Sequence, residues 1–189
     1  MKRKALILTW SRFQDHEVIY PYYALKEHNF EVDVAGDVPI GSRMIGDLGS
    51  HIVCNICLIN ECPDPNDYNL LVIPGGVKAL EKLRLNKFAV LVVKHFFEHN
   101  KMVFCICNGA QLLITADVLR GRKCAGYYSI EPDIINAGAE YTREVCIDKN
   151  LITCSHYDQM GEWLKEGFIN YEIYNVQKAL GKRGIGLSK

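Results

Sequence analysis

The stretch "VFCICNGAQLL" (103–113) passes from an apolar segment through a Cys-Asn-Gly triplet into a helical pattern. A strand, a tight turn, a glycine and then a helix make a nucleophile elbow, in which the turn lifts one side chain above the carboxyl edge of a sheet. Cys107 occupies that point. The amino terminus of the next helix offers unpaired N–H groups and partial positive charge, each such interaction typically worth ~0.3–1 kcal/mol, and both favour thiolate over thiol. Gly109 fits because a side chain there would strike backbone or require a positive φ. Cys105 lies two residues back on the same strand face and belongs to the core. The competing reading makes Cys107 a buried structural residue as well, as free cysteines commonly are.

Outward from the elbow, the pattern alternates. "KALILTW" (4–10) reads as a buried strand, Val18, Ile19, Tyr22 and Leu25 recur at helical spacing between Glu17 and His28, and "EVDVA" (31–35) is a second strand. That is a βαβ unit and hence a parallel sheet. Pro21 is compatible with the helix only near its first turn. Residues 36–60 read as an irregular hairpin region. "YNLLVIPGG" (68–76) predicts a strand, 83–100 a helix, and 101–106 the strand that enters the elbow. A helix over 110–118, a turn at 120–123 and a helical piece over 131–136 follow. The segment 143–155 predicts a hairpin turning at Asp148–Asn150, and a last helix runs from about Asp158 into the 170s.

The chain has 189 residues, 49% of them apolar, with 22 basic and 22 acidic side chains. That supports one domain, taken as 1–175 with a basic, glycine-containing tail at 176–189. The tail reads either as a partner-contacting arm or as a poorly packed terminus. Zero net charge argues against nucleic acid and anionic membrane as partners. No apolar run reaches the ~18 residues of a membrane span, and the opening "MKRKALILTW" is too short and strand-like for a signal peptide, so a cytoplasmic protein is expected. The eight cysteines sit mostly in strand-like runs and read as reduced thiols. Cys54 and Cys57 have metal-like C-x-x-C spacing, yet no second pair follows and no metal is expected.

Two further features converge on the same sheet edge. Gly75 and Gly76, directly after a strand, can expose amides as one side of an oxyanion hole, with the Asn108 amide as the other. Glu17, just past the first strand, is either an acid/base partner for the thiol or a solvated carboxylate at a helix start.

Taken together, "KALILTWSRFQDHEVIYPYYALKEHNFEVDVA", "YNLLVIPGGVKALEKLRLN", "CICNGAQLLITADVLRGRKCAGYYSIEPDIINAGAEY" and "IDKNLIT" resemble successive blocks of the ThiJ/PfpI superfamily, over about residues 3–170. The group contains PfpI-type intracellular proteases and a deglycase branch. The resemblance implies a flavodoxin-like three-layer α/β sandwich with a mostly parallel central sheet, a homodimer or larger homo-oligomer, a reactive Cys107 and a buried Glu17. It also implies that Glu81 reaches a neighbouring subunit's site in ring-forming members. The chain departs from the protease pattern at the elbow, where Cys-Asn-Gly replaces Cys-His-Gly. Asparagine neither takes nor gives a proton at neutral pH. Gln14 stands where an acid is common, Tyr128 replaces a proline, and "TCSHYDQ" (153–159) replaces an arginine-proline loop. His156 in that loop is either a titratable group near the site or a surface histidine.

The expected chemistry is therefore attack of Cys107 on an electrophilic carbonyl, in a small molecule such as a 2-oxoaldehyde or in its protein adduct, without a cofactor. The alternatives are a redox-sensing or stress-response, chaperone-like protein in which Cys107 is oxidised, and a cysteine peptidase or amidase using His156 as a displaced base.

Overall fold

The computed structural model of the chain describes residues 3–181, and its first unit is β1 (Arg3–Leu8), α1 (Asp15–Glu27) and β2 (Phe30–Gly36). β1 and β2 pair in parallel, with Ala5 beside Val32 and Leu8 beside Ala35. Ala5 to Leu8 are all fully buried, as strands covered on both faces require. The 36–60 region contains the hairpin of β3 (Arg43–Ile45) and β4 (His51–Val53), then the edge strand β5 (Ile56–Cys57). Met44 anchors the hairpin by lying where a Cβ on Gly36 would be.

The second half runs β6 (Leu70–Ile73), α2 (Val77–Leu83), α3 (Lys87–Glu98), β7 (Met102–Ile106) and α4 (Ala110–Thr115). It continues with β8 (Lys123–Ala125), α5 (Glu131–Asn136), β9 (Glu140–Thr142), β10 (Cys146–Asp148), β11 (Leu151–Cys154) and α6 (Met160–Ala179). The main sheet has the order β10-β11-β7-β6-β1-β2-β5 and is parallel except for the β10–β11 hairpin. α1 touches α6 on one face, and the right-handed crossover rule places α2, α3 and α4 on the other. The result is the expected three-layer sandwich. Trp163 of α6, fully buried, packs edge-on against Phe104 of β7 and donates its indole N–H to the Ile152 carbonyl at 3.1 Å.

Connections from β1 lead toward β2, while those from β6 lead toward β7. The strand order therefore reverses between β1 and β6, which is where α/β sheets open a crevice beyond their carboxyl ends. The first turn of α1 with Glu17, the loop with Gly75 and the turn with Cys107 all meet there.

Three local expectations need correction. Pro21 is interior to α1, four residues after Glu17, so the Glu17 carbonyl has no helical N–H to accept. The helix expected over 83–100 forms as α3 over Lys87–Glu98, with Asn86 capping it by accepting the N–H groups of Phe88 and Ala89, while α2 precedes it and ends at Leu83, where the expected range begins. The helix expected to reach Val118 stops at Thr115, because Asp117 takes φ +55. At the carboxyl end α6 continues past 175 to Ala179, and residues 182–189 of the expected tail lie outside those described.

Candidate active site

β7 ends at Ile106, and Cys107–Gly109 forms a 3₁₀ turn that feeds α4. Cys107 has φ +59. That left-handed conformation costs a non-glycine residue roughly 1–2 kcal/mol, and strain of this kind gathers at functional sites. Gly109 has an ordinary φ of −51, so its requirement is space, not conformation. A Cβ there would lie 2.5 Å from the Ile73 carbonyl oxygen, 3.1 Å from that of Pro74 and 3.0 Å from the Cys105 sulfur. Two of those neighbours are backbone and cannot swing aside. Gly109→Ala should therefore destabilise by about 1–3 kcal/mol, as overpacking does. Urea unfolding measures it; an unchanged midpoint would show that the elbow can relax.

Glu17 is the third residue of α1 and is fully buried. Its Oε2 accepts the Gly75 N–H at 2.7 Å, while Oε1 has no hydrogen-bond partner. Burial raises its pKa to about 7, against the lowering effects of the Gly75 amide and of the Cys107 thiol. Cys107 is nine-tenths buried, and its Sγ lies 3.5 Å from Asn108 Oδ1. Burial, then the charge of Glu17, pushes the Cys107 thiol up; the amides of Asn108 and Gly76 oppose this. The resting pair is thus a neutral thiol facing a carboxylate that gains and loses its proton near neutral pH. Rotation of the S–H bond away from Asn108 offers Glu17 the donor it lacks.

The Pro-Gly-Gly loop fits this pair closely. A Cβ on Gly75 would lie 2.6 Å from Glu17 Oε2 and 2.9 Å from both the Asn108 nitrogen and the Cys107 Cβ. Gly76 has φ +106, and a Cβ there would lie 2.6 Å from the Gln14 nitrogen. The expected oxyanion trio divides in two. The Gly75 N–H is committed to Glu17, whereas those of Gly76 and Asn108 point at the sulfur.

His156 follows β11 and is about one-third exposed; its Nδ1 lies 3.1 Å from Asp158 Oδ1. No hydrogen bond joins it to Cys107. Its ring lies tilted against Tyr157, which stacks on His16, and it faces Tyr127, whose N–H donates to the Cys107 carbonyl at 3.3 Å. Tyr127, Tyr128, Tyr141, Arg143, Ser155 and His156 line a groove of about 440 Å³ beside the elbow. The sequence pattern gave no sign of His16 or Tyr127, since both come to the edge through folding. Asp15 was also missed: it accepts the amides of Leu48 and Ser50 at 2.7 Å each, pinning the hairpin loop beside the crevice. Glu81 is exposed on α2. Among the described residues all eight cysteines are free, no group of three or more metal-ligating side chains occurs, and no helix is long and apolar enough to cross a membrane.

The DJ-1/PfpI family model matches residues 3–168. The chain is 38% identical to Deglycase PfpI of Pyrococcus furiosus over 164 residues, which is 86% of this chain and 96% of that one. It is 40% identical to a deglycase of Thermococcus kodakarensis with the same coverage. Among solved structures, a two-domain protein of Anabaena variabilis with DJ-1/ThiJ/PfpI-like and ferritin-like domains is 31% identical, with a TM-score of 0.80. That alignment covers 95% of this chain and 48% of the larger one.

Proposed function

We propose that this chain, which belongs to the DJ-1/PfpI family, is a cysteine-dependent enzyme of small carbonyls, acting on 2-oxoaldehydes and their protein adducts in the manner of a glyoxalase or deglycase. The observation that carries the reading is the buried Glu17 facing Cys107, with a pKa raised to about 7. A general base works best when its pKa is near the operating pH. As the Cys107 sulfur bonds to the aldehyde carbon, Glu17 takes the thiol proton and the carbonyl oxygen gains charge. The Gly76 and Asn108 amides are the donors for that oxygen, since Gly75 is engaged. Glu17 then returns the proton to give a hemithioacetal. Transfer of hydrogen from the former aldehyde carbon to its neighbour yields a thioester, and water releases a 2-hydroxy acid and the thiol. The relatives named deglycases support carbonyl adducts as the substrate class.

A peptidase needs an imidazole at the thiol. Asn108 stands after the elbow cysteine where the protease pattern has its histidine, and His156 is paired with Asp158, so the geometry favours carbonyl chemistry. In an assembly, Glu81 of one copy would be available to a neighbour's crevice. The test is to incubate the protein with methylglyoxal, glyoxal and a methylglyoxal adduct of an N-acetylated arginine, following products by NMR. A 2-hydroxy acid and a trappable adduct on Cys107 are expected. No consumption of any member of the panel refutes the reading.

A further inference from the structure

Cys154 is the last residue of β11, and its Cα pairs with that of Ile106, the residue immediately before Cys107. Neighbouring strands lie about 4.8 Å apart and residues advance about 3.3 Å along each, which puts a residue about 6 Å from the next residue on the adjacent strand. Disulfides span Cα separations of roughly 4.4–6.8 Å. In an unbroken ladder, Cys154 would share a face with Ile106 and Cys107 would face away. The φ of +59 at Cys107 ends that alternation where the elbow begins. Both thiols feel the Glu17 carboxylate, and Cys154 also feels Cys107. Cys154 is fully buried, and its thiol makes a long hydrogen bond, 3.9 Å to the His156 carbonyl. The other nearby thiol, Cys105, feels the same Glu17 and Cys107 charges, but it is fully buried two residues back along the same strand, beneath Gly109, and would have to double the strand back on itself to pair with Cys107.

We infer that Cys154 is a resolving thiol for Cys107: oxidation of the elbow by a hydroperoxide ends in a Cys107–Cys154 disulfide that protects the site from irreversible damage. In the first step the Cys107 sulfur attacks the distal peroxide oxygen, the O–O bond breaks, and Glu17 carries the thiol proton to the leaving oxygen, releasing an alcohol or water. The sulfur becomes a sulfenic acid and the peroxide is reduced by two electrons. In the second, Glu17 takes the Cys154 proton as that sulfur attacks Cys107; the S–O bond breaks and water leaves. A small external dithiol restores both thiols by exchange. Without a resolving thiol the sulfenic acid proceeds to sulfinic acid, which dithiols do not reverse.

The inference does not depend on the carbonyl chemistry, because its readout is a peptide map. The protein is treated with graded hydrogen peroxide, alkylated, digested without reductant and analysed by mass spectrometry. The expected wild-type product is a linked peptide carrying Cys107 and Cys154, in protein that runs as a monomer on non-reducing gels and returns to free thiols with dithiothreitol. In Cys154→Ser and Cys154→Ala, each checked for a native melting curve, the linked peptide is lost and Cys107 accumulates as sulfinic acid that dithiothreitol does not recover. The inference is overturned if wild-type Cys107 stays reduced, passes to sulfinic acid unlinked, or pairs with another cysteine or chain. It is equally overturned if the recoverable fraction in both variants matches that of wild type.

Discussion

Cys107→Ala should abolish turnover of 2-oxoaldehydes while leaving the protein folded. The sulfur is the only atom at the elbow that can form the bond to carbon, so its removal should lower kcat/KM by about 10⁴-fold or more, the scale on which loss of a covalent nucleophile is felt. The effect on stability is small by comparison. Deleting one nearly buried heavy atom costs about 1 kcal/mol in lost burial and residual space. Alanine leaves the φ of +59 as strained as before, so no relief offsets that cost. Cys107→Ser should lose most of the activity as well, because an alcohol is far less acidic and less nucleophilic than a thiol in the same site. Initial rates on the carbonyl panel, alongside thermal melts, check both. A wild-type rate in either variant would place the chemistry on another residue.

What could be read in the sequence divides along physical lines. The elbow and the Pro-Gly-Gly loop are legible because their geometry is local: a glycine is needed wherever backbone approaches within van der Waals distance, as at Gly109 and Gly75. The βαβ order is legible for the same reason, since apolar period reports the element that carries it. Asn86 shows the limit. Its side chain starts α3 at Lys87, later than the apolar pattern from residue 83 suggests, and the cap is decisive only once the turn at Arg84–Asn86 exists. The hairpin of 43–53 stayed obscure because Met44 fills the space over Gly36, a contact no local pattern records. Glu17 is the instructive case. Its position past the first strand left it either a solvated carboxylate or a catalytic one, and burial in the first turn of α1 against the Gly75 loop and Cys107 decides its chemical environment. Cys154 was invisible as a neighbour of Cys107 until the β11–β7 register was known.

Glu17→Gln should lower turnover and raise stability, with both effects tied to the same proton. Glutamine can keep its side-chain carbonyl on the Gly75 N–H, but it cannot accept the thiol proton. Loss of a general base typically costs about 10²–10⁴-fold in rate. Wild-type kcat/KM should rise with pH through about 7 as Glu17 ionises, and the variant should be low and flat over that range. For stability the sign is fixed by the raised pKa. Below pH 4.5 Glu17 is protonated whether folded or unfolded; between 4.5 and about 7 the unfolded chain ionises while the folded chain holds its proton. Folding stability therefore falls as pH rises through that window, by about 3 kcal/mol in all, because each pH unit crossed there costs about 1.4 kcal/mol. Glutamine removes the fall. The stability of the variant relative to wild type should climb from pH 4.5 to about 7 and then level, read as urea midpoints across that range. A carboxylate that served only to hold the Gly75 loop would lose rate and stability together, at every pH. A rate that falls while stability climbs along the Glu17 titration identifies a buried acid retained for chemistry at the expense of the fold.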